Sequence, residues 1–194
     1  MKTDILMISS DGSNMEAALE QVDKVAAYKG LSPRNTMHLR LLAEETMAMV
    51  RAIAGNVNGE FWMEDEDQMF TLHLRVSSLM DEKKREQLIS ASTSGKNEAT
   101  RGFMGKLRSF FEPASGVPMF SASFGSGSPH MYSSYVWSLG DYKDQLRQYR
   151  EQNQPNAKEA WDELEKSVVG HLADDVKVSI LGRTVEMTIA KRLD

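Results

Sequence analysis

Between Met69 and Ser77 the chain alternates without a break: Phe70, Leu72, Leu74 and Val76 are apolar, and Thr71, His73, Arg75 and Ser77 are polar. A period of two sends successive side chains to opposite faces, so the segment reads as a strand with one buried side. A shorter strand, about Glu60–Glu64, precedes it across the acidic turn Asp65-Glu66-Asp67-Gln68, and the two form a hairpin. A hairpin with one apolar face needs a covering layer, and its upstream neighbours have helical periodicity. That combination directs the chain toward helices packed on a sheet.

Upstream, Ile5-Leu6-Met7-Ile8 is a short apolar run suited to a buried strand. Ser13-Asn14-Met15-Glu16 has capping-box spacing, and Met15, Leu19, Val22 and Ala26 follow at helical intervals up to Gly30. Ser32-Pro33 then supplies a cap and a first-turn proline for a second helix running to about Ala54, with Gly55 as its stop. Its buried stripe is Leu39, Leu42, Ala43, Thr46, Val50 and Ile53.

Downstream of the hairpin the chain becomes helical and basic, with seven Lys/Arg against two acidic residues between Lys83 and Arg108. Two short helices with solvated charges account for it; a phosphate- or partner-binding patch is the competing reading. Phe103, Leu107, Phe110 and Phe111 give the second of these helices an apolar stripe. An irregular Pro-, Gly- and Ser-rich loop covers about 113–131, anchored by Val117-Pro118-Met119-Phe120. Met131, Tyr135, Trp137 and Leu139 alternate as a strand. An extra helical segment at about 141–173 follows: one helix to about Gln152, then one with Trp161, Leu164, Val168 and Leu172 on a face. Val176, Val178 and Ile180, then Val185, Met187 and Ile189, form a last hairpin around Gly182-Arg183. Strand, two helices and hairpin thus occur twice, in 4–77 and 131–192, without a residue-level repeat behind them. The expected fold is α+β: a single domain over 1–194, a two-layer α/β sandwich whose mixed, mainly antiparallel sheet carries helices on one face.

Composition narrows the function. The 194 residues contain no cysteine, which removes disulfides, thiolate metal sites and cysteine nucleophiles and is compatible with a cytoplasmic protein. A net charge of -5 argues against a broad nucleic-acid surface, and no apolar run reaches a membrane span, so neither nucleic acid nor membrane is an expected partner. His38, His73, His130 and His171 show no metal-ligand spacing, and each reads as structural or solvated; no metal site is expected. There is no GxSxG elbow and no phosphate-binding GxxxxGK[ST]. The 13 methionines, several between Met37 and Met49, read first as core filling and second as an adaptable binding groove.

One segment is more specific. Leu41-Leu42-Ala43-Glu44-Glu45-Thr46-Met47-Ala48-Met49-Val50-Arg51-Ala52-Ile53 follows a capped helix start and precedes the hairpin. The arrangement resembles the N-box helix of the Bergerat-fold ATPases, the superfamily of gyrase, histidine kinases and mismatch-repair ATPases, and is most similar to the small anti-sigma-factor serine kinases. The resemblance covers about residues 4–78, including Gly30-Leu31-Ser32 before the helix, and resumes from Val176 to Ile189; the middle of the chain is longer and matches poorly.

The resemblance implies ATP and Mg²⁺ as cofactors and Glu45 as the general base that activates the nucleophile. Glu45 also reads as one of an exposed Glu44-Glu45 pair. Four residues on, where the family's Asn holds Mg²⁺, stands Met49, and a thioether is a poor ligand for a hard cation. The family's adenine-reading Asp corresponds to Ser78, with no glycine after it. The phosphate-lid glycines correspond to Gly102 and Gly105, three apart instead of two, a spacing that close helix packing explains equally well. Phosphoryl transfer depends on metal and electrostatic positioning, so these changes together point away from a competent kinase. The expected function is that of a regulatory, cytoplasmic, degenerate member of this group. It would work through a protein partner, a sigma-factor-like or anti-anti-sigma-like regulator, with ATP binding weak or absent; a homodimer is compatible with that. Two further readings stand beside it: an active ATP-dependent serine kinase or ATPase with a rearranged site, and an unrelated α+β interaction module.

Overall fold

A computed structural model describes residues 1–51, 57–77, 135–153, 157–181 and 184–193. In chain order the elements are β1 (Leu6–Ser9), α1 (Met15–Tyr28), α2 (Pro33–Arg51), β2 (Asn58–Glu66), β3 (Met69–Ser77), β4 (Tyr135–Ser138), α3 (Leu139–Glu151), α4 (Ala157–Lys166), α5 (Val168–Leu172), β5 (Asp175–Leu181) and β6 (Thr184–Arg192). The two basic helices, the 113–131 loop, the second helix's end at Ile53–Gly55 and the Gly182-Arg183 turn lie outside the described residues.

The strands form one six-stranded sheet in the order β1-β2-β3-β6-β5-β4. Every described pairing is antiparallel, so the parallel pairing expected of a mixed sheet is not found among the described residues. The fold is α+β, an open antiparallel sheet layered with helices. Each half supplies a strand, helices and a hairpin, and the hairpins' last strands meet at the centre, which makes the order read the same from either edge. The pairing registers obey the same symmetry. Trp62 faces His73 in the first hairpin, Lys177 faces Thr188 in the second, and His73 and Thr188 face each other across the seam. The twofold order that the chain lacks at the level of residue identity is present in its hydrogen-bond ladder.

Alternation fixes the faces. Phe61, Met63, Phe70, Leu72, Leu74, Val76, Val176, Val178, Val185, Met187 and Ile189 are all buried in one cluster with Val22, Leu39, Leu42, Val50 and Leu146 of the helices. Each such Phe, Leu or Val side chain contributes about 1.5–3 kcal/mol by leaving water, so this shared layer is the main source of cohesion between the two halves.

Local expectations fared unevenly. Ser32 caps α2 as expected, its Oγ accepting the Asn35 N–H at 3.2 Å and its carbonyl the Thr36 N–H at 2.9 Å. Gly30, at φ 66°, closes α1, with the Leu31 N–H returning to the Ala26 carbonyl. The capping box before α1 does not form. Asn14 occupies the cap in the left-handed region at φ 62° with no side-chain cap bond, and its amide donates instead to the Met7 carbonyl. β1 is no buried strand either: it lies at the edge of the described sheet, Ile8 is buried, and Ile5 and Met7 are each 50% exposed. The helix expected through Trp161 and Leu172 is broken at Ser167, whose Oγ accepts the Gly170 N–H at 2.8 Å and starts α5. The strand expected to reach Leu139 stops at Ser138, which caps α3 by accepting the Asp141 N–H.

Candidate functional site

Two places in the described structure concentrate chemistry, one on each side of the sheet. The first is the face of α2 that carries the N-box-like residues. Arg40 ties this helix to α1 through Asp23 and braces Glu44 at 3.2 Å, one turn on. Glu44 is exposed and Glu45 half-exposed, at the border of the buried stripe, with no ion pair among the described residues. Thr46 is fully buried and satisfies its hydroxyl by donating to the Leu42 carbonyl at 2.6 Å. Met47 and Met49 are both 2% exposed and belong to the core cluster. The position one turn beyond Glu45 is therefore dry and apolar. Ser78, Gly102 and Gly105 lie outside the described residues, so of the four candidate site residues only Glu45 is described.

The second place is the opposite face of the sheet, at its centre. Trp62 of β2 is only 3% exposed although it points away from the helices. The His73 ring stacks on it at 4.6 Å between centroids and 6° between planes. Lys2 and Arg75 lie over the same indole, at 5.2 and 4.9 Å. Three carboxylates surround these groups. Glu64 accepts the Trp62 N–H at 3.1 Å and pairs with Lys2 at 3.0 Å; Arg75 bridges Glu186 at 3.0 Å and Glu60 at 3.2 Å. The Lys2 ammonium, then the indole N–H, hold the Glu64 carboxyl below its ordinary range, and the bond to Glu186 raises Arg75 above its own.

His73 is the member left without a bond. Its Nε2 is 3.8 Å from Glu64 and its Nδ1 3.6 Å from Glu186, both too long for hydrogen bonds, and neither nitrogen has a partner among the described residues. Burial lowers its pKa, opposed by the charges of Glu64 and Glu186. The two carboxylates lie against opposite nitrogens of the ring and do not converge on one point. No group of three His, Asp or Glu among the described residues is arranged to hold a metal ion. The sequence placed His73 on the outward face correctly but gave no sign of this cluster, because alternation assigns a face without assigning a cross-strand neighbour.

Elsewhere, Lys158, Glu159, Asp162, Glu163 and Lys166 border a space of about 500 Å³. All five lie on the exposed side of α4, so this is a groove between solvated side chains. His38 has its pKa lowered by burial and by the charges of Arg34, Lys191 and His171, and His130 lies outside the described residues. None of the described helices is long and apolar enough to cross a membrane. No protein-family model, no curated protein and no solved structure matches this chain.

Proposed function

We propose that this chain is a regulatory, protein-binding domain on a Bergerat-like scaffold whose nucleotide site has lost the means to hold Mg²⁺. The observation that carries the reading is Met49. At 2% exposure it is part of the core, one helical turn from Glu45, where the family resemblance requires an oxygen ligand. A hard divalent cation takes oxygen ligands and retains water, and a buried thioether among apolar side chains offers neither. Only the order of elements supports the resemblance, with strand, two helices and a hairpin first and a later hairpin in the same sheet; the antiparallel pairing of every described strand departs from the mixed sheet expected with it.

A partner would have apolar side chains to cover, with Met7 on the edge strand and Ile5 just before it, Tyr28 at 77% exposure and Met37 at 61%. The partner classes are those the resemblance implies, sigma-factor-like or anti-anti-sigma-like proteins. Isothermal calorimetry with MgATP and with ADP tests the reading. The expected result is no binding heat at micromolar ligand. Micromolar affinity together with turnover that Glu45→Gln abolishes would establish an active ATP-dependent kinase or ATPase and overturn the proposal; Glu45 is accessible enough for that outcome to be measurable.

A further inference from the structure

The cluster on the sheet face turned away from the described helices is built around a ring whose two nitrogens have no partner among the described residues. Among the described residues, five charged side chains face His73 or its immediate partners: Glu60 and Glu64 from β2, Arg75 from its own strand, Glu186 from β6, and Lys2 from the N-terminal stretch. Three are negative and two positive, so within this described group a neutral imidazole leaves one negative charge in excess. A neutral ring carries one N–H and can serve only one of the two flanking carboxylates; its other nitrogen turns a lone pair toward the second. An imidazolium carries two N–H groups, one for Glu64 and one for Glu186, and balances the cluster. The ring is also sandwiched on Trp62 with its side chain only 13% exposed, where a charge loses hydration.

We propose that Trp62, His73, Glu64 and Glu186 form a proton-responsive latch at the seam between β3 and β6, where protonation of one imidazole changes the bonding across three strands. Ring burial favours the neutral form and the two carboxylates favour the charged one, with burial the larger effect. The sign follows from the lowered pKa. Between the ordinary histidine value and the folded-state value the unfolded chain binds more protons than the folded one. Acidification through that window therefore weakens the fold, and the full contribution is present above it. With a neutral ring His73 is bonded to neither flanking carboxylate; in mild acid the imidazolium reaches both, at the seam that joins the two halves of the sheet, against the cost of charging a buried ring.

The test uses the full chain with Trp137→Phe and Trp161→Phe, which leaves Trp62 as the only indole. An imidazolium stacked on an indole quenches it, so emission should fall in a one-proton step from pH 7.5 to 5, with its midpoint below about 6.5. His73→Gln should abolish the step. Glu186→Gln, at a partly exposed position, should move the midpoint lower, because it removes a charge that favours the imidazolium. This second variant serves if His73→Gln does not fold. A flat titration, a step that survives His73→Gln, or a midpoint unmoved or raised by Glu186→Gln would each overturn the proposal.

Discussion

Replacing Met49 by Asn installs the residue that the proposed family resemblance implies, and the structure predicts that the fold will not tolerate it. Met49 is 2% exposed and packed in the core with Leu42, Val50 and the sheet. Truncating a buried Met costs about 2–5 kcal/mol, through lost transfer energy and the cavity left behind. An amide left without partners in that cavity adds about 1–3 kcal/mol. A loss of about 3–8 kcal/mol is a large share of the ~5–15 kcal/mol that holds an ordinary domain together. With urea slopes of about 1–3 kcal/mol/M, the unfolding midpoint should fall by on the order of 2 M. Met49→Leu conserves volume and should cost less than about 1.5 kcal/mol, which separates polarity from shape. Urea unfolding followed by circular dichroism reads both variants, and calorimetry with MgATP reads any gained affinity. If Met49→Asn unfolds at the wild-type midpoint and binds MgATP, then Met49 lines a solvated nucleotide site and the reasoning from core burial is wrong.

Four other changes probe separate links in the structure. Gly170→Ala should destabilise by about 1–3 kcal/mol, since an added Cβ would sit 2.4 Å from the Leu164 carbonyl oxygen and 2.5 Å from the Ser167 Oγ; a thermal melt lower by several degrees is the readout. Gln68→Gly should raise stability by about 0.5–1 kcal/mol, because Asp67 and Gln68 both adopt positive φ, 47° and 64°; an unchanged or lower melting temperature would count against the turn geometry. Asp174 is pushed up by burial, but the Arg192 N–H at 2.7 Å and the Lys191 ammonium at 2.8 Å outweigh that and lower its pKa. Its contribution is thus full above the ordinary Asp value and lost as pH falls through the lowered one, so Asp174→Asn should flatten the acid limb of a stability-against-pH curve and leave its slope near neutrality unchanged. Thr46→Val removes a buried hydroxyl bonded only to its own helix and should shift urea stability by less than about 1.5 kcal/mol; a larger loss would mean that the hydroxyl does more than back-bond to Leu42.

The legible parts of the fold are those with strong periodicity. β3 is observed over Met69–Ser77, as its alternation requires, and α2 begins at Pro33 after the Ser32 cap. What could not be read depended on partners distant in sequence. Ile5 and Met7 look like half of a buried strand until β1 is known to be an edge, because hydrophobicity alone does not say whether a second layer lies above. Ser167 interrupts a pattern that Trp161, Leu164, Val168 and Leu172 continue at helical spacing, since its side chain caps a new helix instead of extending the old one. On the candidate site, the residue types along α2 were informative about Met49. They were silent about whether Glu45 faces a ligand, which depends on segments far along the chain.

The Trp62–His73 cluster depends on a small local difference in the turn before β3. A four-residue turn at 65–68 would set Glu64 opposite Met69 and hence Trp62 opposite Thr71. In the structure the turn is only Asp67 and Gln68, strand pairing continues through Glu66 and Met69, and Trp62 faces His73. Two positive φ angles in a two-residue loop match the right-handed twist of the flanking strands, which is why the shorter turn prevails even without glycine. That shift of two residues leaves every side chain on its expected face, so the buried pattern cannot reveal it. It decides the stack, and with it which carboxylate lies 3.8 Å from the imidazole on the β2 side. On the β6 side, the 3.6 Å approach of Glu186 depends on a strand more than a hundred residues away. A proton-sensitive group at this seam is therefore a property of register, set once by the Asp67-Gln68 turn and once by the meeting of the two halves. Substitutions that reset either pairing should abolish the Trp62 titration even when every residue of the cluster is retained.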